Sequence, residues 1–193
     1  SEVIFQPGSV PGTTNMDVRV KDYQPVHLLL DYNNFGSKLV SRNRWGLGVD
    51  LGNLFSEGHL LSLRSVLGWP IRNMTYIQGG YMAPLGYEGH KLHVSYARGD
   101  FDVGREFEQL DIHLKTESVE VSVTYPFLKT GLMDLTGEVG FSGNDLTQTA
   151  LQTVSNRDRI RVLKGNLSLN RASPNTRDYF SFQLAQGLGK FLG

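Results

Sequence analysis

The stretch Glu117-Ser118-Val119-Glu120-Val121-Ser122-Val123-Thr124-Tyr125 decides how the rest of the chain is read. Val119, Val121, Val123 and Tyr125 occupy alternate positions, and Glu120, Ser122 and Thr124 fall between them. Successive side chains of an extended backbone point to opposite faces, so this period of two describes a strand with one apolar and one polar face. The β-branched valines favour the same conformation.

The pattern recurs on both sides of this segment. In 44–52, Trp45, Leu47, Val49 and Leu51 alternate with Arg44, Gly46, Gly48, Asp50 and Gly52. In 91–97, Leu92, Val94 and Tyr96 oppose Lys91, His93 and Ser95. In 134–142, Leu135, Val139 and Phe141 oppose Thr136, Glu138, Gly140 and Ser142. In 163–170, Leu163, Leu167 and Leu169 oppose Lys164, Asn166, Ser168 and Asn170. Near the end, Phe180, Phe182 and Leu184 oppose Tyr179, Ser181, Gln183 and Ala185. Fainter alternation marks 26–33, 59–67 and 74–83. The sequence therefore predicts about nine strands, most of about 8–11 residues, where soluble sheets average about 5–6. A tilted strand needs about 9–11 residues to cross a bilayer.

Short connections rich in Gly or Pro are read at 53–58, 84–89, 126–132 and 171–177. They alternate with 34–42, 68–73, 101–115 and 143–157, the last two read as long polar loops. Short turns on one side and longer loops on the other are the habit of outer-membrane barrels. Trp45, Trp69, Tyr81, Phe101 and Tyr125 stand near strand ends, where aromatic girdles meet the membrane interface.

Composition narrows the classes. Nineteen basic and 19 acidic residues balance, and no basic cluster is interleaved with aromatics, so no nucleic-acid partner is expected. The 193 residues contain no cysteine, which excludes disulfides and thiolate metal sites. No apolar run reaches the roughly 18 residues of a membrane helix. The start at Ser1 without Met reads as a processed or trimmed N-terminus.

Alternation alone fits two architectures. A soluble barrel turns its apolar face inward, whereas a membrane barrel turns it outward to lipid and lines its lumen with the polar face. Strand length, uneven connections and aromatic ends select the second: an all-β, antiparallel up-and-down transmembrane β-barrel. On that reading Arg44, Asp50, Arg64, Lys91, His93, Glu120, Glu138 and Lys164 face the lumen. There they line a conduit of mixed charge, pair across it, or do both. An odd strand number leaves two open edges. The chain is then a fragment, is completed by another chain, or closes as a smaller barrel of eight strands.

Other chemistry is poorly supported. His90 and His93 lack further ligands at metal-binding spacing, and His27, His59 and His113 stand apart. Gly46, Gly48 and Gly52 miss the dinucleotide-binding spacing by one residue and lie within a strand, where glycine leaves room on a crowded face. No G-x-S-x-G elbow and no Ser/His/Asp set is present. No catalytic residue, cofactor or metal is expected.

Residues 1–22 differ from the rest. Pro7-Gly8 and Pro11-Gly12 mark turns, and Met16, Val18 and Val20 alternate with Asp17, Arg19 and Lys21. The segment reads as the tail of a preceding domain, joined to the strands of 23–193 through Tyr23-Gln24-Pro25.

Several stretches together resemble one family. QPGSVPGTTNMDVRVKD (6–22) is similar to the end of a POTRA domain. LLLDYNNFGSKLVSRNRWGLGVDLGNLFSEGHLLSLR (28–64) resembles the first hairpin of the two-partner secretion transporters, of the haemolysin activation/secretion type. Further similarities are Tyr81-Met82-Ala83-Pro84-Leu85-Gly86, Tyr125-Pro126-Phe127, Asp158-Arg159 and Gln186-Gly187-Leu188-Gly189, in the family's order. Ser41-Arg42 stands where Thr-Gly is more usual. The resemblance implies a barrel of about sixteen strands, with POTRA domains and a plug helix upstream and an inward-folded loop downstream. It implies a bacterial outer-membrane location, a periplasmic 1–22 segment, and a secreted, unfolded exoprotein as partner. The other readings are a barrel-assembly factor of the same superfamily and a soluble β-barrel that binds a small ligand.

Overall fold

The computed structural model describes residues 2–10, 12–19 and 25–189. β1 (Glu2–Pro7) and β2 (Thr14–Arg19) form a two-stranded antiparallel sheet. Val20, Lys21, Tyr23 and Gln24, expected to finish this strand and begin the link, lie outside the described residues.

All nine expected strands form, in one antiparallel sheet. They are β3 (Val26–Asn33), β4 (Asn43–Gly52), β5 (Leu60–Trp69), β6 (Met74–Leu85), β7 (His90–Val103), β8 (Ile112–Lys129), β9 (Met133–Ala150), β10 (Thr153–Ala172) and β11 (Arg177–Gly187). Each strand pairs with its neighbours in sequence, so the order runs β3 to β11 without a crossover. β3 and β11 are not paired with each other, which corrects the alternative of a closed eight-stranded barrel.

The strands lengthen from β3 to β10, and here the expected lengths need correction. β8 and β9 have 18 residues each and β10 has 20. The expected loop 143–157 is almost wholly strand, turning only at Leu151 and Gln152, whose φ values are 51° and 61°. The expected loop 101–115 shrinks to residues 104–111, centred on a 3-10 turn at Arg105–Leu110. Backbone ladder bonds form regardless of side-chain polarity. Alternation marks where a strand has one apolar face, not where it stops.

The pairing register carries the two-faced pattern across the sheet. Val94, Val121, Phe141 and Leu163 form one apolar row across four strands, and His93, Ser122, Gly140 and Lys164 form the adjacent polar row on the other face. The apolar side chains are the exposed ones: Val121 is 37% exposed and Phe182 60%, while Ser122 is 5% and Ser142 4%. Among the described residues, the only buried hydrophobic side chains are Met74, Ala83 and Ala97. A soluble barrel with an apolar interior would show the reverse.

Two strand-end details fix the frame. The Gly52 amide donates to the Pro25 carbonyl at 2.6 Å, so the start of β3 lies at the end of the sheet that carries the turns 53–59, 86–89, 130–132 and 173–176. At the opposite end, segment 34–42 folds onto its neighbours. The Gly104 amide donates to Leu39 O at 2.7 Å, and Asn73 Nδ2 donates to Val40 O at 3.0 Å. Ser41, 3% exposed, donates its hydroxyl to Asn43 O at 2.8 Å and accepts from the Trp69 amide at 2.8 Å.

Trp45, Trp69, Tyr81 and Tyr125 lie on the apolar face. Phe101 does not. Its register with Met74 and Leu114 puts it on the opposite face, leaning over Gly99, so it is no part of an interface girdle.

Candidate conduit face

All eight charged or histidine positions singled out in the sequence share one face of the sheet, because the register shifts at Pro126/Leu128 and Val154/Asn156 lie outside the stretches that carry them. They are not one cluster. Glu120, Glu138 and Lys164 line a shallow hollow with Ser122, Gly140 and Asn166. Asp50, Arg64 and His93 line a second with Gly48, Gln78 and Gly80. Lys91 lies at one end of β7, opposite Pro84 and Thr124. Arg44, near the start of β4, reaches the folded 34–42 segment, where its Nε donates to Ser41 O at 3.3 Å.

Two ion pairs share one design. Arg64 on β5 bonds Asp31 on β3 at 3.0 Å, across the whole width of β4. Lys164 on β10 reaches Glu120 on β8 at 3.4 Å, across β9. In each case the strand between offers small residues. A Cβ at Gly46 would sit 2.3 Å from the Asp31 carboxylate, and a Cβ at Gly140 would sit 2.9 Å from Ser122 Cβ. Gly46 therefore leaves the space that Asp31 uses. Strand glycines that make room for a close neighbour are a recurrent device. Both pairs are half-exposed, so each contributes at most about 1 kcal/mol. Their larger consequence is to set opposite charges side by side on this face of the wall.

Asp31 was missed in the sequence, although it sits two residues from Asn33 on the face that also carries His27. The signal was its parity with Arg44 and Asp50 once β3 is aligned to β4.

Three of the five histidines have local partners. His90 stacks on Tyr125 with ring centroids 4.4 Å apart, His59 bonds the Tyr81 hydroxyl, and His113 bonds Asp102. No group of three or more His, Asp or Glu side chains is arranged to hold a metal ion among the described residues. The arrangement thus offers a two-faced wall: apolar and exposed on one side, polar, glycine-rich and decorated with both charge signs on the other.

The comparisons with known proteins agree with this wall. The family model described as haemolysin secretion/activation protein ShlB/FhaC/HecB matches residues 12–191. Among solved structures, CdiB from Escherichia coli superposes with a TM-score of 0.82 at 11% identity, over 98% of this chain and 36% of that one. CdiB from Acinetobacter baumannii gives 0.74 at 14% identity, over 97% and 37%. BamA from Haemophilus ducreyi lacking POTRA domains 1–3 gives 0.52 at 13% identity, over 96% and 39%. The chain therefore spans little more than a third of these solved proteins. No curated protein sequence matches it.

Proposed function

Because the chain belongs to the haemolysin secretion/activation family ShlB/FhaC/HecB, an outer-membrane barrel family of secretion proteins and not of enzymes, we propose that its sheet is part of the barrel wall of a two-partner secretion transporter. On this reading the exposed apolar face meets lipid. The polar face lines the path of an unfolded exoprotein.

The observation that carries the reading is the inversion of burial: apolar side chains exposed, small polar ones sheltered. In lipid an open edge leaves backbone groups unpaired at several kcal/mol each, so β3 and β11 are paired with further strands in the working protein. Those strands come from the rest of a barrel of about sixteen, or from another chain. Residues 1–22 are the end of a periplasmic POTRA-like unit. That places the short turns, which share an end with Pro25, on the periplasmic side and the long β8–β10 hairpins outside. Recognition of an unfolded partner by such modules proceeds by strand addition, where backbone bonds supply affinity with little sequence demand. The lumen charges, paired as Arg64–Asp31 and Lys164–Glu120, keep the wall polar without offering a deep binding site.

The barrel-assembly alternative draws on the same superfamily. It is less supported, because the family model is one of secretion proteins and the BamA superposition is the looser one. The test is site-specific photocrosslinking in the full-length transporter during export of its partner. A crosslinker at Glu120 or Glu138 is expected to capture the passing polypeptide, and one at Val121 or Val139 to capture none. Export that leaves no crosslink at either polar position, or equal crosslinks on both faces, would sink the conduit reading.

A further inference from the structure

The exposed face of the wall changes character beyond its apolar band. On β7 the row that holds Leu92, Val94 and Tyr96 continues as Arg98, Asp100 and Asp102. On β8 and β9 Glu117 and Asp145 follow Val119 and Gly143 in the same direction. On β10 Leu163 gives way to Arg161, Arg159 and Arg157. Pairing sets Arg98, Glu117, Asp145 and Arg159 in one line across four strands.

The two halves of this charged rim differ. On β7 and β8 each cation has a carboxylate partner: Arg98 pairs with Asp100 at 3.1 Å and Glu117 at 3.7 Å, and Lys115 pairs with Glu117 at 3.1 Å. On β9 and β10 three arginines face one carboxylate. Asp145 is engaged by Arg161 at 2.5 Å, whose guanidinium also donates to Asn144 O and whose side chain lies over Gly143. Arg157 and Arg159 are exposed, and among the described residues neither makes an ion pair. Two residues apart on a strand, their Cα atoms are separated by about 7 Å.

We propose that Arg157 and Arg159, braced by Arg161, bind the phosphate groups of a phosphorylated glycolipid in the outer leaflet. The proposal rests on the membrane orientation given above. The ladder lies on the same face as the lipid-facing stripe and begins where that stripe ends, so the molecules beside it are the headgroups of the lipids that cover the stripe. Arginine forks match phosphate oxygens in pairs of parallel hydrogen bonds. Basic clusters at the edge of a membrane-spanning surface are the usual recognition of anionic headgroups. The uncompensated positive charge is confined to this half of the rim, which fits a localised anionic ligand.

The test uses the full-length protein purified from outer membranes and exchanged into micelles containing diphosphorylated lipid A, monophosphorylated lipid A or phosphatidylcholine. Bound lipid is counted by native mass spectrometry. The unaltered protein is expected to retain the diphosphorylated lipid most strongly. Arg157→Gln with Arg159→Gln should lower that retention about tenfold, and Arg157→Lys with Arg159→Lys should restore part of it. Arg171→Gln, at the other end of the same strand and face, should leave it unchanged. Equal retention by the glutamine variant, or indifference to the number of phosphates, overturns the proposal. Displacement by excess inorganic phosphate alone would assign the ladder to a free anion and equally overturn it. If the membrane reading itself is wrong, the unaltered protein will retain none of the three lipids. Failure of the headgroup assignment alone leaves lipid bound without phosphate preference.

Discussion

Val121→Arg is expected to lower the stability of the assembled barrel by about 2–4 kcal/mol, the cost of a lipid-facing basic residue near the bilayer midplane. Val121 lies on the exposed face between Val94 and Phe141, with Val119 and Val123 on either side along the strand. The charged rim begins only at Glu117, so an arginine at 121 has apolar neighbours in every direction. In a cell a loss of this size lowers the abundance of the folded protein several-fold, because stabilities of whole domains are only about 5–15 kcal/mol. Gln183→Arg supplies the same side chain on the polar face, opposite Asn166. It should change stability by no more than about 0.5 kcal/mol. Urea unfolding in lipid vesicles, followed by the gel shift between folded and unfolded barrels, measures both. Equal effects from the two substitutions would mean that the faces are not differently solvated.

Gly68→Val is expected to release the segment that folds across the far end of the sheet. A Cβ at Gly68 would lie 2.6 Å from Ser41 Cβ and Oγ and 2.7 Å from Met74 Cβ. Ser41 and Met74 are 3% and 6% exposed, so neither has space to retreat. Overpacking of this kind costs about 1–3 kcal/mol, and displacing Ser41 adds the loss of its bonds to Asn43 and Trp69, each worth about 1 kcal/mol. The same movement frees Asn73 Nδ2 from Val40 and the Gly104 amide from Leu39. Limited proteolysis of whole cells should then cut within 34–42 far faster than in the unaltered protein. Unchanged protection would show that the docking of this segment does not depend on the Ser41 bridge.

The nine strands were legible in the sequence because one face of each is apolar, and contrast between faces is what alternation reports. Their lengths were not. Beyond Glu117 and Gly143 both faces carry polar groups, so the period of two fades while the ladder continues for several more residues. The turn at Leu151 and Gln152 was invisible for a second reason. A two-residue hairpin of this handedness needs positive φ at both positions and usually signals itself with Asn-Gly or Asp-Gly, and here neither residue is of that kind. Phe101 was placed at an interface by its position near a strand end, although its parity with His93 already set it on the opposite face. The eight charged or histidine positions were found by parity alone. What parity could not supply was reach: Asp31 and Arg64 meet across an intervening strand because Gly46 leaves the space, a contact between segments whose pairing must be known first.

Spin labels placed one at a time from 119 to 124 in the full-length protein, reconstituted in lipid, test the two-faced wall most directly. Labels at 119, 121 and 123 are expected to collide with oxygen dissolved in the bilayer, whereas labels at 120, 122 and 124 collide with a water-soluble nickel chelate. Six positions with no alternation, or oxygen contact at 120, 122 and 124, would contradict the two-faced wall.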